Sequence, residues 1–152
     1  MKKKTLAALL LSVSLSPALV SAEGCAQIET DTAEQETQTP IIENITPGRA
    51  LTLIQNNRDN PDFIIIDVRT PEEFAQERIE GAINLDYYPE VFSDQLNELD
   101  RNKTYLVYCR TGRRSKAAAD LMKELGFGQI YNISGGINDW KKEGLPTISP
   151  TQ

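Results

Sequence analysis

The fold is indicated most clearly by residues 105–115, YLVYCRTGRRS. This stretch opens with aromatic and aliphatic residues typical of a buried strand and reaches a cysteine at position 109. Three arginines then occur within five positions, interrupted by Gly112, and apolar residues follow at a helical spacing after Ser115. The stretch therefore predicts a strand that ends at Cys109, a short loop, and a helix that starts near Arg114.

The same alternation of strand and helix continues on both sides of this stretch. The β-branched run at 62–68 (DFIIIDV) predicts a strand buried on both faces, and shorter strands are predicted at 81–85 and 129–133. Helices are predicted to open at 46–47 and 70–71, where Thr precedes Pro, and near positions 90 and 136. This order indicates an α/β fold, an open parallel sheet of about five strands with helices on both faces.

Charge and composition restrict the function. The formal net charge is −6, which argues against a nucleic-acid partner, and the chain contains no histidine. Ser-His and Cys-His catalytic pairs are therefore excluded, and the commonest metal ligand is absent. We expect no metal and no cofactor. The positive charge of residues 110–114 is local, which indicates a site for one small anion.

The residues around Cys109 predict an activated thiol. Cys109 falls at the carboxyl end of its strand, the edge at which ligands bind in open parallel sheets. The N–H groups of residues 110–115 should form an anion-binding nest at a helix N-terminus, which lowers the pKa of the thiol without a histidine. The alternative is a buried structural cysteine beside solvated arginines. Three cations at a helix N-terminus are unfavourable unless an anion lies between them, which favours the site.

The N-terminal residues 1–22 predict a signal peptide. A basic start, an apolar stretch and Val20-Ser21-Ala22 fit export to the periplasm with cleavage after Ala22. The apolar stretch is too short to span a bilayer, so we expect no transmembrane span in the mature protein. Residues 23–40 predict an acidic flexible tether. Cys25 allows two alternatives. The protein could be a lipoprotein anchored at that residue, or Cys25 could be a free or oxidised thiol.

Three separated motifs, DVRTPEEFAQERIEGAINL, YCRTGRRS and GGINDWKKEGLP, resemble in order and spacing those of the rhodanese-like sulfurtransferases. The resemblance covers residues 41–146 and is greatest to small periplasmic members. It implies a rhodanese-like domain at 41–147 with a tail at 148–152. It also implies transfer of sulfane sulfur from thiosulfate to cyanide, a thiol or a protein acceptor, through a persulfide on Cys109.

The resemblance also implies roles for the residues around the cysteine. Asp67 and Arg69 would support the loop through an ion pair or a polar network. Members that prefer mercaptopyruvate have a loop similar to C-G-[ST]-G-V-T, which lacks the arginines found here, so thiosulfate is the expected donor. The substrate-binding loop would consist of Arg110, Thr111, Gly112, Arg113, Arg114 and Ser115.

Two other functions stay open at this point. Cysteine-loop phosphatases and arsenate reductases place five residues between cysteine and arginine, whereas Arg114 leaves four and position 115 is Ser. The shorter loop makes a smaller site, which favours binding of a single sulfur atom over binding of a tetrahedral phosphate. The second alternative is a persulfide carrier or oxyanion-binding module that serves a partner protein without turnover. Turnover with thiosulfate and cyanide would distinguish a carrier from an enzyme.

Overall fold

The computed structural model describes residues 41–88 and 90–149. Within these ranges the chain alternates strictly between strands and helices. No helix among these residues combines the length and the apolar character needed to cross a membrane. The elements are β1 (Ile41–Ile45), α1 (Pro47–Asn56), β2 (Phe63–Asp67), α2 (Pro71–Gln76), β3 (Ala82–Asn84), α3 (Phe92–Asn97), β4 (Thr104–Tyr108), α4 (Arg113–Glu124), β5 (Gln129–Ile133) and α5 (Gly136–Lys142).

The five strands form one sheet in the order β1-β5-β4-β2-β3, and every neighbouring pair is parallel. β4 is the central strand, and its last residue, Tyr108, is in register with Asp67 at the end of β2. All carboxyl ends of the strands therefore meet at one edge of the sheet, with Cys109 in the middle of that edge. The predicted α/β fold with about five parallel strands is confirmed.

Helices cover both faces of the sheet, as the sequence predicted. Side chains from α3 and α4 pack on one face, and side chains from α1 and α5 pack on the other. Because successive strand residues point to opposite faces, β4 contributes Tyr105 and Val107 to the first core and Leu106 and Tyr108 to the second. Cys109 continues this alternation and packs in the core on the α3 and α4 side.

Two helices start as their sequences predict. The Thr46 hydroxyl caps α1, and Thr70 caps α2, each followed by proline in the first turn. At α2 the cap is reciprocal, because Glu73 N–H donates to the Thr70 hydroxyl and Thr70 N–H donates to the Glu73 carboxylate. This places the Glu73 side chain at the carboxyl edge of the sheet, immediately after β2.

The structure differs from the sequence prediction at both ends of the domain. Residues 41–45 form edge strand β1, whereas the sequence indicated them only as the start of the folded part. The strand was not predicted because it has one buried residue and therefore little apolar pattern. Ile148, assigned to the tail, exchanges two backbone hydrogen bonds of 2.8 Å with Arg78, so the packed domain extends past 147. The predicted signal peptide and tether lie outside the described residues.

Candidate active site

The thiol of Cys109 lies inside the loop that joins β4 to α4. Its relative exposure is 0%, and its sulfur accepts two hydrogen bonds from that loop. The Gly112 N–H donates to Sγ at 3.2 Å, and the Ser115 hydroxyl donates to it at 3.5 Å. Gly112 has φ +86°, a left-handed conformation that turns the loop tightly enough for its N–H to face the sulfur. One N–H of the predicted nest, that of Gly112, therefore donates to the sulfur.

Two opposing effects act on the pKa of the Cys109 thiol. Burial raises the pKa because the interior disfavours the charged thiolate. Hydrogen bonds from the Ser115 hydroxyl and from the backbone N–H groups of Ser115, Thr111 and Gly112 lower it. The hydrogen bonds outweigh burial, and the pKa lies below the ordinary value of a cysteine. Hydrogen bonds of this kind stabilise the thiolate form of a cysteine, which distinguishes Cys109 from an inert core residue.

The first turn of α5 holds the cysteine loop from the other side. The N–H of Ile137 donates to the Cys109 carbonyl at 2.9 Å, and the N–H of Asn138 donates to the Arg110 carbonyl at 3.1 Å. This contact requires glycine at 136, because a Cβ there would lie 2.3 Å from the Cys109 carbonyl oxygen. In the sequence, the GGINDW motif stood out only as part of the resemblance to a family. Its contact with the loop was missed, since the two segments are brought together only by the parallel pairing of β4 and β5.

Arg114 is paired with Glu73. Its two guanidinium nitrogens donate to the two carboxylate oxygens at 2.9 and 3.2 Å, and its guanidinium carbon lies 5.4 Å from the centre of the Tyr88 ring. Burial lowers the pKa of Arg114, but the hydrogen bond with Glu73 and the attraction of nearby negative charge, that of Glu73 first, together outweigh burial and raise the pKa. In the sequence, Glu73 was only an acid in the first turn of a predicted helix. Nothing in the sequence indicated that it would bind Arg114, 41 residues away.

The other predicted binding residues of the loop are exposed. Arg110, Thr111 and Arg113 all face solvent at the mouth of the loop. Within residues 41–88 and 90–149, neither Arg110 nor Arg113 has a carboxylate within ion-pair distance. Arg110 also lines a polar cleft of about 230 Å³, whose lining includes Glu73 and Glu77. Two guanidinium groups are thus free to meet an anion at the loop.

Asp67 and Arg69 form a buried ion pair beneath the loop. Arg69 is 4% exposed and Asp67 is 0% exposed, and their side chains are joined by a 2.6 Å contact. The Arg69 guanidinium carbon lies 5.8 Å from the ring of Tyr108, the residue before the cysteine, and the Val68 N–H donates to the Tyr108 carbonyl. The pair therefore braces the end of β4. Its side chains lie on the sheet face opposite to Cys109 and do not contact the sulfur.

These contacts define what the site can do chemically. A thiolate stabilised by N–H groups and a hydroxyl can attack an electrophilic sulfur, and the same groups can hold a second sulfur after transfer. The free arginines can attract an anionic substrate. The remaining predicted residues are placed around this centre, and their individual roles stay predictions.

Comparison with known proteins identifies the family of this chain. A family model described as "Rhodanese-like domain" matches residues 50–143. A sulfurtransferase of Allochromatium vinosum is 33% identical over 65% of this chain and 91% of its own length. The thiosulfate sulfurtransferase GlpE of Glaesserella parasuis is 30% identical over 67% of this chain and 89% of its own length.

A solved structure agrees with the sequence matches. The crystal structure of a rhodanese-related protein from Thermoplasma volcanium matches with a TM-score of 0.58 and 28% identity, over 70% of this chain and 97% of that chain. The family match spans the strand of the DVR motif, the cysteine loop and the start of α5, which are the parts of the chain that build the site. The chain belongs to the rhodanese-like sulfurtransferase family.

Proposed function

We propose that this protein is a thiosulfate sulfurtransferase that carries sulfur as a persulfide on Cys109. The observation that carries the proposal is the Cys109 thiol, which accepts hydrogen bonds from its loop and has a lowered pKa. Two arginines of the same loop, Arg110 and Arg113, have no carboxylate partner among the described residues. Relatives named thiosulfate sulfurtransferase support the choice of donor.

The proposed reaction has two displacement steps. The Cys109 thiolate attacks the outer sulfur of thiosulfate, the sulfur–sulfur bond breaks, and its electron pair leaves with sulfite. The enzyme now carries a persulfide, whose outer sulfur is held by the loop N–H groups. Cyanide or a thiolate then attacks this outer sulfur, and the electron pair of the second sulfur–sulfur bond returns to Cys109 as thiolate. No metal, cofactor or external oxidant is needed for this balance.

The donor is selected by charge in this proposal. Thiosulfate is a dianion, and sulfite keeps that charge as it leaves, so Arg110 and Arg113 favour both the bound donor and the bond-breaking step. Because Cys109 is covered in the free protein, the donor must displace side chains at the mouth, where Arg110, Thr111 and Arg113 are exposed. We expect a clear preference for thiosulfate over mercaptopyruvate.

The test measures the intact mass of the protein and its turnover of thiosulfate with cyanide. Purified protein treated with thiosulfate should gain one sulfur atom in its intact mass, and it should turn over thiosulfate with cyanide. Cys109→Ser should abolish both without unfolding the domain, because serine is a poor nucleophile without a base. Cys25→Ser should keep both. Sulfur loading or turnover that survives in Cys109→Ser would contradict the proposal.

The carrier alternative predicts a different outcome of the same experiment. A persulfide carrier or oxyanion-binding module would load once and release its sulfur slowly, without sustained thiocyanate production. A cysteine-loop phosphatase would hydrolyse p-nitrophenyl phosphate and gain no sulfur. The loop length favours the sulfurtransferase, since position 115, where a phosphatase would need its arginine, is Ser.

We also propose that the protein is exported to the periplasm with its signal cleaved after Ala22. The support is the order of basic, apolar and small residues in 1–22. The intact mass of the protein recovered from the periplasmic fraction should correspond to a chain that begins at Glu23. A membrane-bound product that becomes soluble on Cys25→Ala would instead show a lipoprotein anchored at Cys25.

A further inference from the structure

The charge around Cys109 depends on a carboxylate as well as on the arginines of its loop. Arg114 lies in the first turn of α4, next to Ser115, whose hydroxyl donates to the Cys109 sulfur at 3.5 Å. Glu73 binds Arg114 through both carboxylate oxygens and also lines the cleft that contains Arg110. A negative side chain is therefore held beside a site that, in the proposed reaction, must attract an anion.

The pair of Glu73 and Arg114 is shielded from water more than an ordinary surface pair. The Arg114 side chain is 15% exposed and the Glu73 side chain 28% exposed, whereas those of Lys116 and Asp120 are 60% and 52% exposed. Salt screens such partly buried charges less than exposed ones. Burial lowers the pKa of Arg114, whereas nearby negative charges, that of Glu73 first and the Cys109 thiolate among them, raise it. Charge at this pair is therefore felt at the sulfur.

The other acids near the cleft have cationic partners of their own. Glu77 binds Lys141, and Asp67 binds Arg69. Each of these pairs contributes no net charge to the site. Removing the charge of Glu73 would therefore raise the net charge beside the sulfur by one unit.

That unit of charge affects anions according to their own charge. With Glu73 ionised, Arg114 is neutralised, and thiosulfate meets Arg110 and Arg113, which have no ion-pair partner among the described residues. Without Glu73, a third cation would attract the thiosulfate dianion and also the sulfite that leaves. Coulomb energy is proportional to the product of the charges, so the free energy of binding changes twice as much for a dianion as for a monoanion.

We propose that Glu73 is a specificity-determining residue, which limits the positive charge at the cysteine loop by neutralising Arg114, so that the site binds a dianionic donor without retaining sulfite. This inference rests on the proposed function. The effect of Glu73 on the reacting sulfur passes through Arg114, so Glu73 is not itself a catalytic residue. Loss of its carboxylate should strengthen the binding of thiosulfate and of sulfite alike.

The first experiment measures charge at the sulfur without using sulfur transfer. In the Cys25→Ser chain, Cys109 is alkylated with iodoacetate, an anion, or with iodoacetamide, its neutral analogue of similar size, and both rates are followed by intact mass. The ratio of the two rates cancels changes in thiol pKa and in access to the sulfur. We expect Glu73→Gln to raise this ratio of anionic to neutral reagent by about 1.5- to 3-fold.

Two further variants and a control distinguish charge from structure. Arg114→Ala should lower the ratio, because Glu73 then lacks its partner, and the combination of Arg114→Ala with Glu73→Gln should return the ratio to near its wild-type value. Glu80→Gln removes the same charge at an exposed residue beside Phe63, away from the cysteine, and should leave the ratio unchanged. If Glu73 were merely structural, the rates of both reagents would change together and the ratio would stay constant.

The second experiment measures the two dianions. In Glu73→Gln, the half-saturating concentration of thiosulfate for loading Cys109 should fall by about 2- to 9-fold, which is the square of the effect on a monoanion. The half-saturating concentration of sulfite should fall equally when sulfite takes the outer sulfur back from the persulfide and re-forms thiosulfate. High ionic strength should shrink both effects.

An alkylation ratio in Glu73→Gln that matches Glu80→Gln would overturn the inference. So would a double variant no closer to wild type than either single variant, or half-saturating concentrations that do not fall. Failure of the proposed function gives a separate result, because thiosulfate would then add no sulfur to Cys109. The alkylation ratios would still decide whether Glu73 controls the charge at the sulfur.

Discussion

Both carboxylate oxygens of Glu73 accept hydrogen bonds from Arg114, at 2.9 and 3.2 Å, and so join the first turn of α2 to the first turn of α4. Glu73 also completes the cap of its own helix through Thr70. One carboxylate thus fixes the start of a helix and neutralises one of the three arginines near the cysteine. Among the residues that the structure describes, the loop has two arginines without an ion-pair partner and one, Arg114, that is paired.

This relationship predicts a measurable coupling. Burial raises the pKa of Glu73, but the hydrogen bonds from Arg114 and from the Thr70 N–H, together with the charges of Arg114 and Arg69, outweigh burial and lower the pKa. Combining Glu73→Gln with Arg114→Ala should therefore give a coupling of about 1 kcal/mol in urea unfolding at neutral pH. Glutamine is chosen because it keeps the helix cap.

The sign of the pH dependence follows from the lowered pKa of Glu73. The coupling should be present above the ordinary pKa of a glutamate and should disappear as pH falls through the lowered value in the folded protein. The control is the exposed pair of Lys116 and Asp120, which should couple by no more than about 0.5 kcal/mol. Equal coupling in the two pairs would show that the Glu73 contact has no special role.

The hydroxyl of Ser115 should set the pH profile of sulfur transfer. The rate constant kcat/KM for thiosulfate should rise with pH as Cys109 deprotonates and should level off at lower pH than for an ordinary cysteine, because its pKa is lowered. Ser115→Ala removes the hydroxyl donor, so the inflection should move to higher pH. The control is Ser134→Ala at an exposed position. An unchanged inflection in Ser115→Ala would mean that the backbone N–H groups alone stabilise the thiolate.

Gly136 should be far less tolerant of alanine than Gly144. Both have positive φ, +60° and +71°, so both variants carry a backbone cost of about 1 kcal/mol. Only at 136 would the new Cβ meet the cysteine loop, 2.3 Å from the Cys109 carbonyl oxygen, whereas at 144 nothing lies within 4 Å. We expect Gly136→Ala to cost more than about 3 kcal/mol in urea unfolding and to reduce sulfur transfer. Similar losses in the two variants would show that α5 does not hold the loop.

Arg110 and Arg113 should contribute to donor binding. A charge-assisted hydrogen bond is worth ~1.5–3 kcal/mol, so Arg110→Ala or Arg113→Ala should lower kcat/KM for thiosulfate by about 10- to 150-fold. The loss should shrink at high ionic strength, since salt screens long-range attraction. Mercaptopyruvate turnover should change far less.

The matched control for these arginines is Arg58→Ala. Arg58 is also exposed, but it lines a cavity with Phe63 and Gly81 at the amino ends of β2 and β3, away from the cysteine. Thiosulfate kinetics within about twofold of wild type in all three variants would show that the arginines at the loop are merely solvated.

Much of the fold could be predicted because the signals are local. The apolar runs of β2 and β4, the Thr-Pro starts of α1 and α2, and the spacing of α4 each depend on residues close together in sequence, and the structure confirms them. Edge strand β1 was missed. It is stabilised by pairing with β5, whose residues lie far away in the chain, and its own pattern contains one buried residue.

Local sequence alone predicted that a strand ends at Cys109, that a tight loop containing Gly112 follows, and that N–H groups at a helix start lie around the thiol. These features depend on residues within one loop, where chain geometry leaves few alternatives. Long-range packing sets which of the loop arginines lack an ion-pair partner among the described residues, because Glu73 reaches Arg114 across 41 residues. Long-range packing also places Gly136 against the loop and the Tyr88 ring next to Arg114, since parallel strands bring their carboxyl ends together regardless of distance in sequence.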